Sequence, residues 1–443
     1  MSTLNDKTVA HITLGCKVNM YDTQAMIEIL KNNGAHVVDF EDRADIYIIN
    51  TCTVTNFGDK KSRQALRKAA KLNPEAVIVA CGCYSQVDSE TVKAIDGVDI
   101  LIGTKDRMRI AEFILQYLEG KKQKNFVSNI SNQTEFEDLS ISNSPDKARA
   151  YIKIQEGCDN YCSYCIIPYA RGPVRSRNPD NVIIEAKKLA ASGCKEIVLA
   201  GIHVGNYGKD INDGRGINLA GILRELHEID GIERIRFGSI EPRSVTDELL
   251  KVFADCHKLC DHVHLSLQSG CNRTLTAMNR RYNTAEYEAV VTSLRAIMPD
   301  LGITTDIIVG FPEESDKDFQ ESLAFVKRMG FSKVHVFPYS PKTGTKAALM
   351  DNHVPSQIKS ERAKEMSALG DALAHDFAKR FEQTKLPVLF EQAVGQNIYE
   401  GHSRNYLVVR QQSTIDLTNQ ILEVEIAHAE GSLLHARNVF IKT

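Results

Sequence analysis

The sequence predicts an α/β protein with three domains in series. Two observations lead to this fold class: short apolar runs alternate with helical patterns over most of the chain, and strand patterns alone fill about the last sixty residues. A length of 443 residues also exceeds what one hydrophobic core usually serves. We therefore expect separate cores along the chain.

The first domain, residues 1–120, is predicted to be a doubly wound parallel sheet. The apolar runs VAHITL, DIYIIN and AVIVA alternate there with helical stretches at 22–33 and 59–72. Strands that alternate with helices pair in parallel, and the helices then cover the sheet. The next residues, 121–147, are rich in Asn, Ser, Lys and Glu, which cannot bury a core, and we interpret them as a linker.

Residues 148–380 are predicted to form a complete or partial β/α barrel. Six strand-like runs recur there with helical segments between them: YIKIQ, EIVLAG, RIRFGS, HVHLSL, ITTDIIVG and KVHVFPY. In such barrels the chemistry takes place on the loops that follow the strands. Residues 381–443 contain short strands bounded by Gly, Asn and Ser with no helix between them, which predicts a small antiparallel β-barrel.

Composition narrows the possible functions. The chain is 43% apolar and 25% charged, which is typical of a soluble protein. It has no apolar run of about eighteen residues and no signal pattern, so we expect a cytoplasmic protein without a membrane segment. Because the net charge is only −3, any contact with nucleic acid must come from local basic faces. Eleven cysteines in a reducing compartment indicate metal binding or catalysis rather than disulfides.

The strongest motif is the C-x3-C-x2-C spacing of Cys158, Cys162 and Cys165, which directly follows the strand YIKIQ. Three thiolates this close can hold three irons of a cubane cluster and leave the fourth iron free for a small molecule. A structural zinc site is the alternative, but it requires a fourth ligand, and the next cysteine is the distant Cys194. The spacing therefore favours an iron-sulfur cluster with an open corner.

A second set of cysteines lies in the first domain. Cys16, Cys52 and Cys83 each follow a predicted strand and precede a helix, so the carboxyl edge of a parallel sheet brings them together. From spacing alone, either Cys81 or Cys83 is the third ligand; the glycine before Cys83 mirrors Gly15 before Cys16 and favours Cys83. The remaining cysteines are interpreted as structural: Cys194, Cys256, Cys260 and Cys271.

Together these motifs resemble the methylthiotransferase family of radical-SAM enzymes. The resemblance covers essentially the whole chain and rests on LGCKVN, INTC, GCYSQ and EGCDNYCSYCIIPYARGPVRSR. It implies an N-terminal methylthiotransferase domain, a radical-SAM barrel and an RNA-binding TRAM domain. It also implies two 4Fe-4S clusters: an auxiliary one on Cys16, Cys52 and Cys83, with GCYSQ supporting Cys83, and a catalytic one on the ligands Cys158, Cys162 and Cys165.

The resemblance further implies S-adenosylmethionine as methyl donor and radical source, and an electron donor such as flavodoxin or ferredoxin. LGCKVN and PYARGPVRSR resemble the branch that acts on N6-threonylcarbamoyladenosine in the tRNA anticodon stem-loop. The branches that act on N6-isopentenyladenosine tRNA or on an aspartate of a ribosomal protein remain alternatives. A non-catalytic iron-sulfur protein that binds tRNA is disfavoured by the intact C-x3-C-x2-C spacing.

Further polar residues lie at or just after the predicted barrel strands, where the family's loops contact the cofactor. They are candidates for binding S-adenosylmethionine, although each is equally suited to stabilising its loop: Asn206, Tyr207, Glu241, Gln268, Ser269 and Asp306. His203 is interpreted as structural.

Three groups of basic or aromatic residues are candidates for RNA binding. The first is the helical face of Lys60, Arg63, Arg67 and Lys71, which is otherwise an ordinary solvated surface. The arginines after the radical cluster are expected to grip phosphate or the threonylcarbamoyl carboxylate: Arg171, Arg175 and Arg177. The last group lies in the C-terminal barrel, where an oligomerisation surface is the alternative: Tyr399, His402, Arg404, Tyr406 and Arg410.

Overall fold

The computed structural model describes residues 4–120, 122–142, 148–212 and 214–440. The N-terminal domain contains one sheet whose strands, in chain order, are β1 Thr8–Thr13, β2 His36–Val37, β3 Ile46–Thr51, β4 Val77–Gly82, β5 Ile100–Leu101 and β6 Lys124–Asn125. The strand order is β2-β1-β3-β4-β5-β6, and every neighbouring pair is parallel. The helices of this domain are α1 Lys17–Asn32, α2 Asn56–Leu72, α3 Cys83–Val87, α4 Ser89–Lys93 and α5 Ile110–Gly120.

Helices cover both faces of this sheet. On one face, Leu30 of α1 and Phe113 of α5 pack on Ile48 and its neighbours. On the other face, Leu66 of α2 packs with Tyr47. Because successive strand residues point to opposite faces, a sheet buried on both sides needs nearly continuous apolar strands, and β3 and β4 are buried at every position. The predicted doubly wound domain is confirmed.

The central domain is an open arc of strands, as the sequence predicted. Its strands are β7 Arg149–Lys153, β8 Gln155–Glu156, β9 Arg175–Ser176, β10 Glu196–Ala200, β11 Arg234–Phe237, β12 His262–His264, β13 Gly302–Val309 and β14 Lys333–Pro338. Its helices are α6 Ile167–Arg171, α7 Pro179–Ala191, α8 Leu219–His227, α9 Asp247–Asp255, α10 Asn272–Ala277, α11 Thr284–Ile297, α12 Asp316–Met329 and α13 Ser356–Lys379.

Six of these strands run parallel around the arc. Two parallel sheets, β7-β10-β11 and β12-β13-β14, are joined by single parallel bridges, including the one between Ile235 and Leu259. Apolar residues such as Ile197 and Val263 pack outward against the helices. Alternate positions such as Glu196 and His264 therefore face the interior, which is polar.

The C-terminal domain is the predicted small barrel. Its strands are β15 Lys385–Gly395, β16 Ile398–Ser403, β17 Val408–Gln412, β18 Gln420–Glu430 and β19 Leu433–Phe440, and they close in the order β15-β16-β17-β19-β18. Four neighbouring pairs are antiparallel as expected, but β17 and β19 are parallel. Strand direction cannot alternate all the way around a ring of five strands, so one parallel pair is unavoidable.

This small barrel docks on the amino-terminal end of the arc, which corrects part of the predicted RNA surface. The Tyr406 ring stacks on His262 at 4.6 Å between centroids. Arg404 pairs with Asp261 at 3.1 Å, and the carbonyl of His402 accepts a hydrogen bond from Arg234. These side chains and carbonyls stabilise a domain contact instead of forming a free surface. Of the five predicted residues, those outside this contact are Tyr399, which is half-buried, and Arg410, which is exposed and paired with Glu400.

The stretch interpreted as a linker is packed along its described part. β6 extends the N-terminal sheet beyond residue 120. Leu139 and Ile141 are buried in the core of the arc, and Glu137 pairs with Arg107 at 2.8 Å. Residues 122–142 thus attach the first domain to the second. Among the described residues, no helix combines the length and apolarity needed to cross a membrane.

One buried carboxylate, Glu196, organises the docking end of the arc. It lies 2.6 Å from Arg149 and 2.9 Å from Arg236, and its side chain is fully buried. Arg236 also donates to the carbonyls of Ser403 and Arg404. Burial alone raises the pKa of Glu196, but Arg236 and the other arginines overcome this and lower it to about 2. Glu196 is therefore ionised at neutral pH.

We expect the substitution Glu196→Gln to lower the free energy of unfolding by about 3 kcal/mol, because it leaves buried guanidinium groups without a counter-charge. Since the folded-state pKa lies below the usual value, the difference from the parent protein should be complete above pH 4.5 and disappear as the pH falls towards 2. Urea unfolding, monitored by circular dichroism at several pH values, measures the loss of stability and its pH dependence. The control is Glu233→Gln, at an exposed pair with Lys195, with an expected change below about 0.5 kcal/mol; equal losses would contradict the assignment.

Candidate active site

The cysteines of the first domain lie at one edge of its sheet. Cys16 follows β1, Cys52 follows β3 and Cys83 follows β4, and these three strands are neighbours. Gly15 has a φ of +104°, and a Cβ atom there would be only 3.0 Å from the Cys52 sulfur. A glycine is thus required for the loops of Cys16 and Cys52 to approach each other.

The structure separates the two candidates for the third ligand. Cys81 belongs to β4 and is buried in the apolar core beneath α1 and α5, with its sulfur 3.6 Å from the carbonyl oxygen of Ile49. Cys83 begins α3, and its sulfur accepts a hydrogen bond of 3.3 Å from Nε of Arg171. Burial raises the pKa of the Cys83 thiol to about 11, an effect that Arg171 opposes and Cys16 reinforces. Cys83, and not Cys81, is accordingly directed towards the other two thiols.

The loop of Cys158, Cys162 and Cys165 is held by the segment after α10. Ser163 donates from its backbone to Met278 and from its hydroxyl to Ala277, at 3.0 and 2.8 Å. Arg280 approaches the Cys162 sulfur at 3.2 Å. These contacts give the three cysteines a defined place at the carboxyl end of β7, where the spacing predicted them.

Glu241 completes the support of this loop. It accepts a hydrogen bond of 2.8 Å from the side chain of Asn160 and pairs with Arg280 at 2.9 Å. Tyr161, which stands between Asn160 and Cys162 in the chain, has a φ of +47°. Its carbonyl oxygen accepts a hydrogen bond of 3.0 Å from Asn279. Glu241 therefore acts on the cysteine loop through its neighbours.

The donor chemistry of both sets fits iron-sulfur clusters. Burial raises the pKa of Cys158 to about 11 and that of Cys165 to about 12, and neighbouring thiols contribute to both shifts. Metal binding replaces those protons and removes the cost. Within the described ranges, no three Cys, His, Asp or Glu side chains converge on a single ion, whereas the ligands of a cubane each bind a separate iron around a shared space. Arg171 and Arg280 supply positive charge beside the sulfurs.

The two cysteine sets lie next to each other. Helix α3, which begins at Cys83, packs on α6, which follows Cys165. Arg171 at the end of α6 contacts Cys83, and the carbonyl of the next residue, Gly172, accepts a hydrogen bond of 3.0 Å from the Cys158 amide. Three bonded steps therefore connect one set to the other.

A loop after β14 contacts both domains close to the two cysteine sets. Near Cys52, the Asn56 side chain donates to the carbonyl of Pro341 at 2.9 Å, and Lys342 pairs with Asp59. Near Cys162, the Ala347 amide donates to the carbonyl of Ser163 at 2.6 Å. The sequence offered no signal for this loop, because its partners are far away along the chain.

The arginines after the radical motif do not face RNA, which corrects the prediction for Arg171, Arg175 and Arg177. All three are almost completely buried. Arg171 pairs with Asp22 and Glu156, Arg175 donates to the carbonyl of Arg171 at 2.9 Å, and Arg177 pairs with Glu185 and Asp138. Their charges join the first domain, the stretch after it and the arc.

The polar cofactor candidates fall into two groups. Glu241, Gln268 and Asp306 lie on the interior side: Gln268 has a φ of +70° and donates from its backbone to the carbonyl of Asp306 at 2.8 Å. Tyr207 and Ser269 are buried and bond within the protein, and their cofactor contacts stay predictions. The Tyr207 hydroxyl donates to the carbonyl of Arg177 at 2.9 Å, and the Ser269 hydroxyl accepts from the Cys271 amide at 3.2 Å.

Asn206 is also buried, and its side-chain oxygen accepts a hydrogen bond of 2.6 Å from Lys209. Its cofactor contact stays a prediction. The predicted structural role of His203 agrees with its place between Asn160 and Ser244, whose polar atoms each lie 3.4 Å from the imidazole.

Apolar side chains remain exposed beside both cysteine sets. Val54 and Phe57 follow Cys52, and Tyr161 and Tyr169 flank the loop of Cys162; each exposes half or more of its surface. Exposed large apolar residues gathered at one place indicate a surface that binds a ligand.

An open parallel arc with a C-x3-C-x2-C loop after its first strand is the architecture of a radical-SAM enzyme. Two family models match the chain: residues 8–103 match "Uncharacterized protein family UPF0004", and residues 152–326 match the "Radical SAM superfamily". The radical-SAM structure of TsrM from Kitasatospora setae shares this fold, with a TM-score of 0.59 over 83% of this chain and 89% of that one, at 13% identity.

Curated relatives specify the family. The chain is 44% identical to "Threonylcarbamoyladenosine tRNA methylthiotransferase MtaB" of Bacillus subtilis, over 95% of this chain and 94% of the relative. It is 40% identical to the protein of that name from Aquifex aeolicus, over 86% of this chain and 92% of the relative. It is 34% identical to "tRNA-2-methylthio-N(6)-dimethylallyladenosine synthase" of Caldicellulosiruptor saccharolyticus, over 97% of this chain and 92% of the relative. The chain belongs to the methylthiotransferase family of radical-SAM enzymes.

The separation of Cys81 from Cys83 leads to a prediction about metal content. If each cysteine set holds a four-iron cluster, Cys83→Ala should lose about half of the iron and sulfide of the reconstituted protein, because its set then lacks one ligand. Cys81→Ala removes only core packing and should keep the full content. The measurements are the iron and sulfide content per chain and the electron paramagnetic resonance spectrum of the reduced protein. The reverse pattern would make Cys81 the ligand.

Proposed function

We propose that this enzyme adds a methylthio group to C2 of N6-threonylcarbamoyladenosine next to the anticodon of tRNA. The observation that carries the proposal is that the two cysteine sets are neighbours, connected through Arg171 and Gly172. Sulfur transfer to an unreactive C–H bond requires a sulfur donor and a radical source within reach of the same carbon. The 44% identical relative, which bears the threonylcarbamoyladenosine name, supports this substrate.

Both cysteine sets are assigned to 4Fe-4S clusters, Cys158, Cys162 and Cys165 for the radical step and Cys16, Cys52 and Cys83 for the sulfur. When bound, the clusters and S-adenosylmethionine supply the sulfur, the methyl group and the hydrogen-abstracting radical.

The protein's own residues orient these groups. Arg280 and Glu241 hold the Cys162 loop, and Arg171 places a positive charge at Cys83. The loop at residues 341–347 bonds to both domains, near Cys52 and near Cys162. These fixed contacts keep the two sulfur sites at a constant separation.

The remaining parts of the proposal concern partners. We assign the tRNA anticodon stem-loop as the substrate RNA, a flavodoxin or ferredoxin as electron donor, and the cytoplasm as the site of action. Helix α2 supports the RNA assignment, because Lys60, Arg67 and Lys71 are exposed on it and Cys52 lies just before it. A row of cations there can follow phosphates while the base lies beside the cysteine sets.

The proposal is tested with reconstituted enzyme, a chemical reductant and anticodon stem-loop RNAs that carry threonylcarbamoyladenosine, isopentenyladenosine or adenosine. We expect mass spectrometry to detect the methylthio product only with the first RNA, together with 5′-deoxyadenosine. Cys162→Ala should release no 5′-deoxyadenosine above the cluster-free level. A product only with isopentenyladenosine would move the chain to the other branch, and no RNA product would point to a protein substrate.

A second prediction concerns the basic face of α2. Charge reversal of Lys60, Arg67 and Lys71 to Glu should weaken tRNA binding at least tenfold and reduce the slope of log K against log salt, because counterion release is lost. Lys68 is left unchanged because it pairs with Glu41 at 2.5 Å. The matched control reverses Lys187 and Lys188, exposed on α7. Filter binding at several salt concentrations measures the affinity for tRNA and its salt dependence. An equal loss of affinity in both variants would contradict a specific role of α2.

A further inference from the structure

Three polar side chains line the interior of the arc on adjacent strands. His264 on β12, Asp306 on β13 and His335 on β14 occupy inward positions, with Thr304↔His264 and Asp306↔His335 as strand partners. Nε2 of His264 lies 3.2 Å from a carboxylate oxygen of Asp306, and the two imidazole rings are 6.0 Å apart. Their place within the interior, instead of the packed outer face, leaves them available to a ligand.

The hydrogen-bonding capacity of this group is only partly used. Nδ1 of His264 bonds to the Thr304 hydroxyl at 2.9 Å, and its Nε2 is buried against the Asp306 carboxylate, 3.2 Å away and without hydrogen-bond alignment. The side chain of Asp306 is 29% exposed and that of His264 is 16% exposed. The carboxylate therefore keeps oxygen lone pairs available for a donor group of a ligand in the interior.

A cation from the other domain faces the same interior. Lys17, the residue after Cys16, places its ammonium 5.9 Å from the ring centre of Tyr151 on β7. Burial lowers the pKa of His335, Asp306 opposes this shift, and Lys17 is among the cations that lower it further. Among the described residues, no carboxylate lies within ion-pairing distance of Lys17. Its charge is thus directed at the interior without a counter-ion.

The position of this group relative to the cysteines suggests what it binds. Phe337 lies two residues beyond His335 on the same face of β14, about 7 Å further towards the carboxyl end. Its ring is 47% exposed, which is unusual for an aromatic side chain on an interior face. An adenine stacked there would hold C2 near the cysteine loops while its N6 substituent extended towards His335.

We propose that Lys17, His264, Asp306 and His335 form a pocket that recognises the threonylcarbamoyl group of the substrate base. Lys17 pairs with its carboxylate and the imidazoles donate hydrogen bonds. Asp306, here assigned to the substrate and not to S-adenosylmethionine, accepts from a ureido N–H or the hydroxyl. This inference rests on the proposed function and specifies the chemical group that the site reads. An apolar isopentenyl group would leave all four side chains unsatisfied, and a site built for hydrogen bonds strongly rejects such a substrate.

The test compares enzyme variants and substrate analogues in one cycle. Reconstituted enzyme is given stem-loop RNA that carries threonylcarbamoyladenosine or its methyl ester, which lacks the negative charge. Lys17→Met should reduce kcat/KM about 30-fold on the acid but less than about threefold on the ester, because the ester has already lost the ion pair. Lys17→Arg should restore part of the activity on the acid. Lys187→Met on α7 is the matched control and should change neither.

The variant His335→Leu provides a second, independent test. Because His335 is far along the chain from every cysteine, its substitution should not disturb cluster binding. It should lower kcat/KM on threonylcarbamoyladenosine RNA at least tenfold while iron content and the uncoupled release of 5′-deoxyadenosine stay at parent values. If Lys17→Met loses iron, this variant decides the question. Equal losses on acid and ester, or no loss with His335→Leu, would overturn the pocket. Failure of the parent enzyme to modify either RNA would instead refute the proposed function itself.

Discussion

The relative placement of the two cysteine sets depends on a buried ionic network between the first two domains. Asp22 on α1 and Glu156 after β7 share three cations: Arg107, Lys153 and Arg171. Burial alone raises the pKa of Glu156, but these cations hold it well below its usual value. The groups are thus charged inside the protein, and each is satisfied only when both domains are in place.

Such a network is a positioning device more than a source of stability. Desolvating several charges costs about as much as their attraction returns, so a well-packed apolar contact would serve stability equally well. An apolar contact can slide, whereas charges with several fixed partners permit one orientation. Because Arg171 also binds Cys83 and leads directly to Gly172 and Cys158, this orientation determines how the two cysteine sets face each other.

The sequence predicted features that depend on local patterns, and it failed where distant partners decide. The cysteines were found because residues just after parallel strands meet at one edge whatever the details of packing. Arg171 and Tyr406 were misinterpreted because a side chain that faces solvent and one that packs against another domain look alike in sequence. The partner of Arg171, Asn19, is 152 residues away, and that of Arg236, Ser403, is 167 residues away. The parallel pairing of β17 with β19 follows from the closure of a five-stranded barrel, and no residue pattern in the sequence predicts which pair is parallel.

The bond between Arg171 and Cys83 has a consequence for how the protein is made. The two residues are 88 positions apart, so the ribosome completes the first sheet well before it delivers the arginine that shields its innermost thiol. N-terminal domains fold as they emerge, and during that interval the three sulfurs lack both their counter-charge and the wall formed by α6. The three sulfurs therefore acquire their complete surroundings only after the radical motif itself has been translated.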